Sequence, residues 1–413
     1  MSIKRRKIKE LIADGAILAV QDGNHGEKHP TSGDYVASGI PFVMARDFKN
    51  GSLDLSGSCK IPKSLGDSLR IGFARPGDVL LTHKGTVGLV AIVPPISDYV
   101  MLTPQVTYYR TNEEKLHREY LKYAFLSPFF QNQLGSFSAQ STRPYIGITA
   151  QKDLEVDIPD LSTQRKIAGI LSAYDDLIEN NLRRIKILEE MAQSLYREWF
   201  VHFRFPGHES AKFVDSALNQ IPKGWEVKAI SDFGKVVTGK TPSKANEDFF
   251  GEDIPFLKTP DMHGQMFILR TNEYLSTIGA QSQSNKTLPV GSICVSCIGT
   301  IGVVSITTEP CQTNQQINSV VLADEVSREF LFFWLREAKQ MLENLGSNGA
   351  TMGNVNKSKF EGMKLVCPSG NLLNRFHILA APMFEQIERL FRKIQNLRET
   401  RDLLLPKLLS PNI

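Results

Sequence analysis

Between residues 164 and 200, Leu171, Ile178, Ile185, Ala192 and Trp199 fall at every seventh position, and Tyr174, Asn181, Leu188 and Leu195 form a second row beside them. Near the end of the chain the pattern returns. Ala380, Ile387, Ile394 and Leu408 form one row, interrupted by Arg401, and Phe376, Met383, Leu390, Leu397 and Leu404 form the other. Apolar heptads with charged flanks predict coiled-coil helices. At 1.5 Å per residue, some 35 residues make a rod of roughly 50 Å. Two such rods in one chain are natural partners for each other, with Leu171, Ile178, Ile185, Leu188, Leu195, Ile387, Ile394, Leu397 and Leu404 in the seam. Pro406 is expected to end the second rod, because proline lacks the amide proton that a helix needs. Asn181 and Arg401 are either polar breaks in the seam that fix its register or residues turned to solvent.

Outside the rods the pattern changes to short apolar or alternating runs. Pro76 to Val93 and Val290 to Thr307 each read as two strands around a Gly-Thr-x-Gly turn, a hairpin. Tyr120 to Leu134 and Phe330 to Leu345 read as helices that end near Gly135 and Gly346. A polar loop follows each, Ser136 to Arg143 and Ser347 to Asn356, and then a strand running to Pro159 or Pro368.

These parallels amount to an internal repeat. Ile40-Pro-Phe recurs as Ile254-Pro-Phe, and Asp47 as Asp261, both 214 residues on. At the same offset Gly77, Gly85, Thr86, Gly88, Val90 and Ile92 recur as Gly291, Gly299, Thr300, Gly302, Val304 and Ile306. Thr103 and Gln105 match Thr313 and Gln315 at 210, which gives the first copy four extra loop residues; Pro159 matches Pro368 at 209 and Arg165 matches Arg375 at 210. The expected fold class is α+β: two similar mixed α/β domains with short, mostly antiparallel strands, joined by two long antiparallel coiled-coil helices in a pseudo-two-fold arrangement. The boundaries expected are 1–160 for the first domain, 161–206 for the first rod, 207–370 for the linker and second domain, and 371–413 for the second rod.

The 413 residues are 41% hydrophobic and 22% charged, with a net charge of +4, a globular composition that permits a polyanionic partner without requiring one. The basic start (Lys4, Arg5, Arg6, Lys7, Lys9) is followed by no signal-like apolar stretch, and no apolar run reaches the roughly 18 to 20 residues of a membrane span. Five cysteines, few and odd in number, suit free thiols in a reducing cytoplasm. Two similar heads on a rigid spacer suit a ligand with two recognition elements, and DNA half-sites read from one face lie about 34 Å apart. The loops have suitable chemistry. Gln140, Ser141, Thr142 and Arg143 in the first copy, with Asn348, Thr351 and Asn354 in the second, can bond base edges or phosphates. Lys84 and Lys258 are candidate phosphate contacts, and Thr86 and Thr300, at the hairpin turns, are further candidate DNA contacts.

Two motifs point elsewhere. Gly234 to Thr241 fits the P-loop pattern, but Pro242 and a polar stretch follow where a helix should begin; loop structure or a DNA contact suits Thr241, Ser243 and Lys244 better. Cys294 and Cys297 have a zinc-like spacing but lie in an apolar run, as core thiols would. No catalytic residue, metal ligand or cofactor loop is singled out, which suits a reader whose chemistry is done by partners. A P-loop nucleotide hydrolase and a coiled-coil structural adaptor without DNA reading are the alternatives.

The stretch from Asp160-Leu-Ser-Thr-Gln-Arg-Lys-Ile to Ile178-Glu, followed by Met191-Ala-Gln-Ser-Leu-Tyr-Arg-Glu-Trp-Phe-Val, resembles the central region of specificity subunits of type I restriction-modification systems. Ile221-Pro-Lys-Gly-Trp-Glu-Val with Gly239-Lys-Thr-Pro-Ser is similar to the opening of their second target-recognition domain, and Gln21 to Pro30 with Gly39-Ile-Pro-Phe to a first one. The resemblance spans essentially the whole chain. It implies a non-catalytic, cytoplasmic subunit that reads a bipartite double-stranded DNA target, with one part per domain and the helices setting the gap. It also implies partners, two adenine-methyltransferase subunits and two restriction subunits, with no membrane involved. The second rod lacks the Met-Ala-Gln and Trp-Phe signature of the first.

Overall fold

The computed structural model describes residues 3–26, 28–49, 51–138, 144–347 and 353–410. The chain forms two compact units, one of residues 1–178 with 396–413, the other of residues 179–395. The central helix (Leu161–Tyr196) and the C-terminal helix (Gly370–Leu408) therefore each contribute residues to both units.

In the first unit, Ile17–Asp22, Val106–Thr111, Val79–Lys84 and Thr86–Ile92 form an antiparallel sheet in that order. A second sheet orders Cys59–Ile61, Ile40–Val43, Val100–Leu102 and Phe73–Ala74, with one parallel pair, Ile40–Val43 beside Val100–Leu102. The second unit repeats this plan. Gly234–Thr238, Ile317–Leu322, Ile293–Ser296, Val304–Thr307 and Phe267–Ile268 form the larger sheet, and in the smaller one Ile254–Leu257 runs parallel to Gln312–Thr313. The predicted hairpins lie in the larger sheets, and the basic strand Lys4–Lys7 pairs with Glu155–Ile158, where Arg5 bonds Asp157 at 3.0 Å.

The helix predicted after each sheet is two helices. In the first unit Arg118–Leu126 stops at Ser127, because Pro128 disfavours helical geometry in the residue before it. The Ser127 hydroxyl then accepts the Phe130 amide at 3.2 Å and starts the next helix, Pro128–Ser138. In the second unit Arg328–Glu337 and Lys339–Gly346 meet at Ala338. The first of these pairs packs through Phe125 and Phe130, stacked at 4.3 Å, against Tyr109 of the sheet.

Hydrogen bonding sets the register of the repeat. Gly23 donates to Val106 and Asn24 to Leu102, while Gly239 donates to Ile317 and Lys240 to Thr313. A Cβ on Gly23 would lie 1.9 Å from the Thr103 carbonyl oxygen, and one on Gly239 2.1 Å from that of Asn314, so both positions admit only glycine. Thr103 and Gln105 thus correspond to Asn314 and Gln316, an offset of 211, and the first copy carries three extra loop residues, not four. In the long helices buried Gln164 corresponds to buried Leu373, so Arg165 aligns with Asn374 and not with Arg375.

Within each unit the two long helices run antiparallel. In the first, Asp175 meets Arg401, while Leu404, Leu405 and Leu408 pack on the core that holds Ile167, Ala168 and Leu171. In the second, Tyr196, Trp199 and Phe200 surround Phe376, near the start of the C-terminal helix. Leu171, Ile178, Ile185, Ala192 and Trp199 are all buried, as the heptad predicts. Asn181 and Arg401 are inward polar breaks: Asn181 is buried, and Arg401 Nη1 donates to Asp175 Oδ1 at 2.6 Å. Pro406 does not end its helix, which runs on to Leu408; the following leucines hold the last turn against the first unit's core, and a proline there removes a single backbone bond.

One polar cluster breaks the repeat. Asp175 Oδ2 accepts from Lys122 Nζ at 2.8 Å and from the Tyr123 hydroxyl at 2.7 Å, while Oδ1 takes Arg401. The corresponding positions in the second unit are Phe384, Phe332, Phe333 and Ala192, and the Phe384 ring lies 5.4 Å from Phe332 and 5.5 Å from Phe333. At these positions the first unit packs its helices through charge and the second through aromatic contacts. The aromatic residues of the Tyr196-Arg-Glu-Trp-Phe signature are the tail that fits the second unit's socket. The C-terminal helix lacks them because its tail meets the first unit with leucines instead.

Candidate nucleic-acid interface

The hairpin tips are exposed in both larger sheets. In the first unit Lys84, Gly85 and Thr86 are exposed at the turn, where Gly85 adopts φ +77°, a left-handed conformation suited to glycine. The segment from Pro144 to Ile146 is strapped beside it. Gly85 donates to the Pro144 carbonyl at 3.0 Å, Ile146 donates to His83 at 3.0 Å, and Lys84 bridges Tyr145. The Tyr145 side chain is 56% exposed, with the Lys84 ammonium 5.8 Å from its ring centroid. The second unit repeats the strap with other residues. Gly299 (φ +75°) donates to Gly353 at 3.4 Å, Val355 donates to Cys297 at 2.9 Å, and Ile298 bridges Asn354. Thr300 and Asn354 are exposed. Lys84 and Tyr145 are therefore replaced by Ile298 and Asn354.

Behind each tip sits a half-buried glutamine. Gln105 Oε1 accepts the Ala45 amide at 3.3 Å; Gln316 Oε1 accepts from Asn314 Nδ2 at 3.0 Å and from the Thr259 hydroxyl at 3.4 Å. Beneath the first tip His83 is buried. Its Nδ1 lies 3.1 Å from the Ile146 carbonyl and its Nε2 3.7 Å from Asp22 Oδ1. Burial pulls its pKa below the usual histidine range, against the opposing pull of Asp22, so it is neutral near pH 7.

Of the residues singled out from sequence, Lys84 and Thr86 share the first tip, and Thr300 and Asn354 the second. Thr241 is nearby in the second unit, its hydroxyl donating to Gln315 Oε1 at 2.7 Å, and Ser243 is exposed. Lys258 is committed elsewhere, its ammonium bonded to Glu273, which takes up the charge proposed for a phosphate. Gln140, Ser141, Thr142, Arg143, Asn348 and Thr351 lie outside the described residues. Tyr145, Gln105 and Gln316 escape sequence reading. A Lys-Gly-Thr tip can be seen in sequence, but the chain segments strapped behind it cannot.

Neither misleading motif has its geometry. Gly234–Thr238 is a strand, Gly239 is pressed against the Asn314 carbonyl, and no α-helix follows before Thr259, so Lys240 cannot sit in a phosphate cradle at a helix N-terminus. Cys294 and Cys297 are buried, their thiols pushed by burial up to about 12 and about 11. Among the described residues no group of three or more His, Cys, Asp or Glu could hold a metal ion, and no helix is long and apolar enough to cross a membrane.

The long helices also present apolar residues to solvent: Ile170, Leu177 and Leu403 in the first unit, and Ile187, Met191, Ile378 and Leu379 in the second. Ile170 corresponds to Leu379 in the repeat, but Leu177 corresponds to Gln386, so the outer faces of the two helices differ.

Comparison with known proteins agrees with this duplicated plan. The family model of the type I restriction modification DNA specificity domain matches residues 25–190 and again residues 222–371. The specificity subunit of the type I restriction enzyme HindI from Haemophilus influenzae is 37% identical over 335 residues, 67% of this chain and 72% of that subunit. That of MjaIX from Methanocaldococcus jannaschii is 27% identical over 380 residues, 91% and 87% of the two chains. A crystal structure of a type I restriction-modification S subunit from M. genitalium shares the fold with a TM-score of 0.61 at 14% identity, covering 100% of this chain and 97% of that one. The chain belongs to the type I restriction-modification DNA specificity family.

Proposed function

We propose that this chain is the non-catalytic, cytoplasmic reader of a type I restriction-modification complex, engaging one half of a bipartite DNA target with each domain. The observation that carries the reading is the pair of exposed hairpin tips, built on one backbone plan but furnished with different side chains. A shared frame allows both domains to approach duplex DNA in the same way, and different furnishing allows them to prefer different bases. Lys84 adds a phosphate contact, and Gln140 to Arg143, Asn348, Thr351 and Asn354 are the base-reading candidates, with Thr241 and Ser243 beside the second tip.

The exposed apolar residues of the long helices fit the docking of two methyltransferase subunits, and two restriction subunits join that assembly. The two faces are not equivalent, so one methyltransferase contact rests on Ile187 and Met191 where the other has no counterpart. The 36-residue central helix, roughly 54 Å long at 1.5 Å per residue, supplies residues to both domains.

Fluorescence anisotropy tests this with the chain and its methyltransferase subunits on a library of duplexes. The expected result is preference for two short base sets separated by a gap of fixed length, with affinity falling steeply as salt rises. Equal affinity for every duplex would leave the structural adaptor as the better description.

A further inference from the structure

The hairpin tips hold a group that the two copies share. In each, the glutamine carboxamide is pinned by its oxygen, through the Ala45 amide for Gln105 and through Asn314 and Thr259 for Gln316. In each, Nε2 lies 4.0 Å from the place a Cβ on the tip glycine would occupy, beneath Gly85 or Gly299. Among the described residues no acceptor takes either Nε2, and each Nε2 lies close to a turn that carries no side chain. The next residue in each copy is an exposed threonine, Thr86 or Thr300.

The two copies of the tip have otherwise diverged, with Lys84 against Ile298 and Tyr145 against Asn354. Two half-sites of different sequence have in common the sugar-phosphate backbone and not the base edges. A group kept in the same place and orientation in both domains suits that common element.

We propose that Gln105 and Gln316, each with its tip glycine and threonine, form a phosphate contact in each domain, one backbone phosphate per half-site. The inference rests on the DNA-reading function above and assigns these residues a positioning role in it. Glycine lets the phosphate approach, the amide and the threonine hydroxyl donate to its oxygens, and the pinned carboxamide oxygen keeps the amide from presenting an acceptor instead.

The test uses the complex of this chain with its methyltransferase subunits and a duplex carrying its preferred target. Gln105→Glu and Gln316→Glu keep the acceptor that caps the neighbouring amides and replace the donor with a negative charge. Each variant should lose at least about tenfold in affinity, since a hydrogen bond to a charged group is removed and a like charge added. The loss should be the same on the preferred duplex and on every single-base variant of it. A methylphosphonate placed at each backbone position in turn should weaken wild type at one position per half-site and leave Gln105→Glu indifferent at its own. A selective wild type whose variants bind unchanged, or whose variants alter base preference without a uniform loss, would overturn the phosphate contact alone. A wild-type complex that prefers no duplex would overturn the DNA reading and this contact with it.

Discussion

Replacing Asp175 by leucine probes how the first unit holds the tail of the C-terminal helix. The carboxylate takes three donors, Lys122, Tyr123 and Arg401, at 2.6 to 2.8 Å. Its side chain is 19% exposed, with Arg401 at 23% and Lys122 at 9%. Leucine removes all three acceptor contacts and leaves two cations facing each other with little water. Glu119 lies 4.0 Å from Lys122 and Asp402 2.8 Å from Arg401, so neither cation is wholly stranded. Breaking a buried pair from one side costs 3–5 kcal/mol; with those two carboxylates in reserve, about 3 kcal/mol is expected. For a unit of this size that lowers the melting temperature by about 6–12 °C. All three tryptophans, Trp199, Trp225 and Trp334, lie in the second unit, so their emission serves as an internal reference while far-UV circular dichroism follows the whole chain. Adding Arg401→Met to Asp175→Leu should recover about 1–2 kcal/mol, because one of the two stranded cations is gone and the site approaches the apolar version in the second unit.

The pH dependence has a defined sign. Burial raises the Asp175 pKa, but Lys122, Tyr123 and Arg401 together bring it below the usual carboxylate value. The contribution of Asp175 is therefore fully present above the unfolded carboxyl pKa of about 3.9 and is lost as pH falls through the folded value. Wild type and Asp175→Leu should converge in stability in strong acid. A loss under about 1 kcal/mol for Asp175→Leu at neutral pH, or strict additivity with Arg401→Met, would refute the cluster as the seat of the helix tail.

Three further outcomes follow from the same geometry. Gly239→Ala should cost at least about 2 kcal/mol, since the new methyl would sit 2.1 Å from a backbone carbonyl oxygen, and tryptophan emission should report the loss. Pro382 lies inside the C-terminal helix and is exposed, so Pro382→Ala should restore a backbone bond to the Ile378 carbonyl and raise stability by about 1–3 kcal/mol in urea titrations; a loss would mean that the proline sets a needed bend. Lys84→Ala should weaken binding of the assembled complex to all duplexes alike and lower the slope of log affinity against log salt by about one, whereas an altered base preference would make Lys84 a base reader.

The rods were legible because a period of seven survives any ignorance of partners: all five residues from Leu171 to Trp199 in the first row are buried. The repeat was legible wherever glycines mark turns. It slipped by one residue at Gln315, because Thr-x-Gln matches by identity while hydrogen bonding aligns Gln105 with Gln316. The break at Ser127 could be read from Pro128, but the one at Ala338 carries no such mark. Lys258 looked free for phosphate because its partner Glu273 is 15 residues away, and Asp175 gave no hint of Arg401, 226 residues on. Pairings of that kind are made by the fold and leave no local pattern. The candidate interface was half legible for the same reason: its tips are local, whereas Tyr145 and the two glutamines reach them only through tertiary strapping.

The central claim is that each domain reads its own half of one target. Mapping methylated adenines across the genome of a host that carries this chain with its methyltransferase partner tests it most directly, with residues 207–370 then exchanged for those of another family member. The account predicts a motif of two short specified parts around an unspecified gap, with the exchange rewriting one part and leaving the other part intact. A continuous motif, or an exchange that rewrites both parts together, would contradict it.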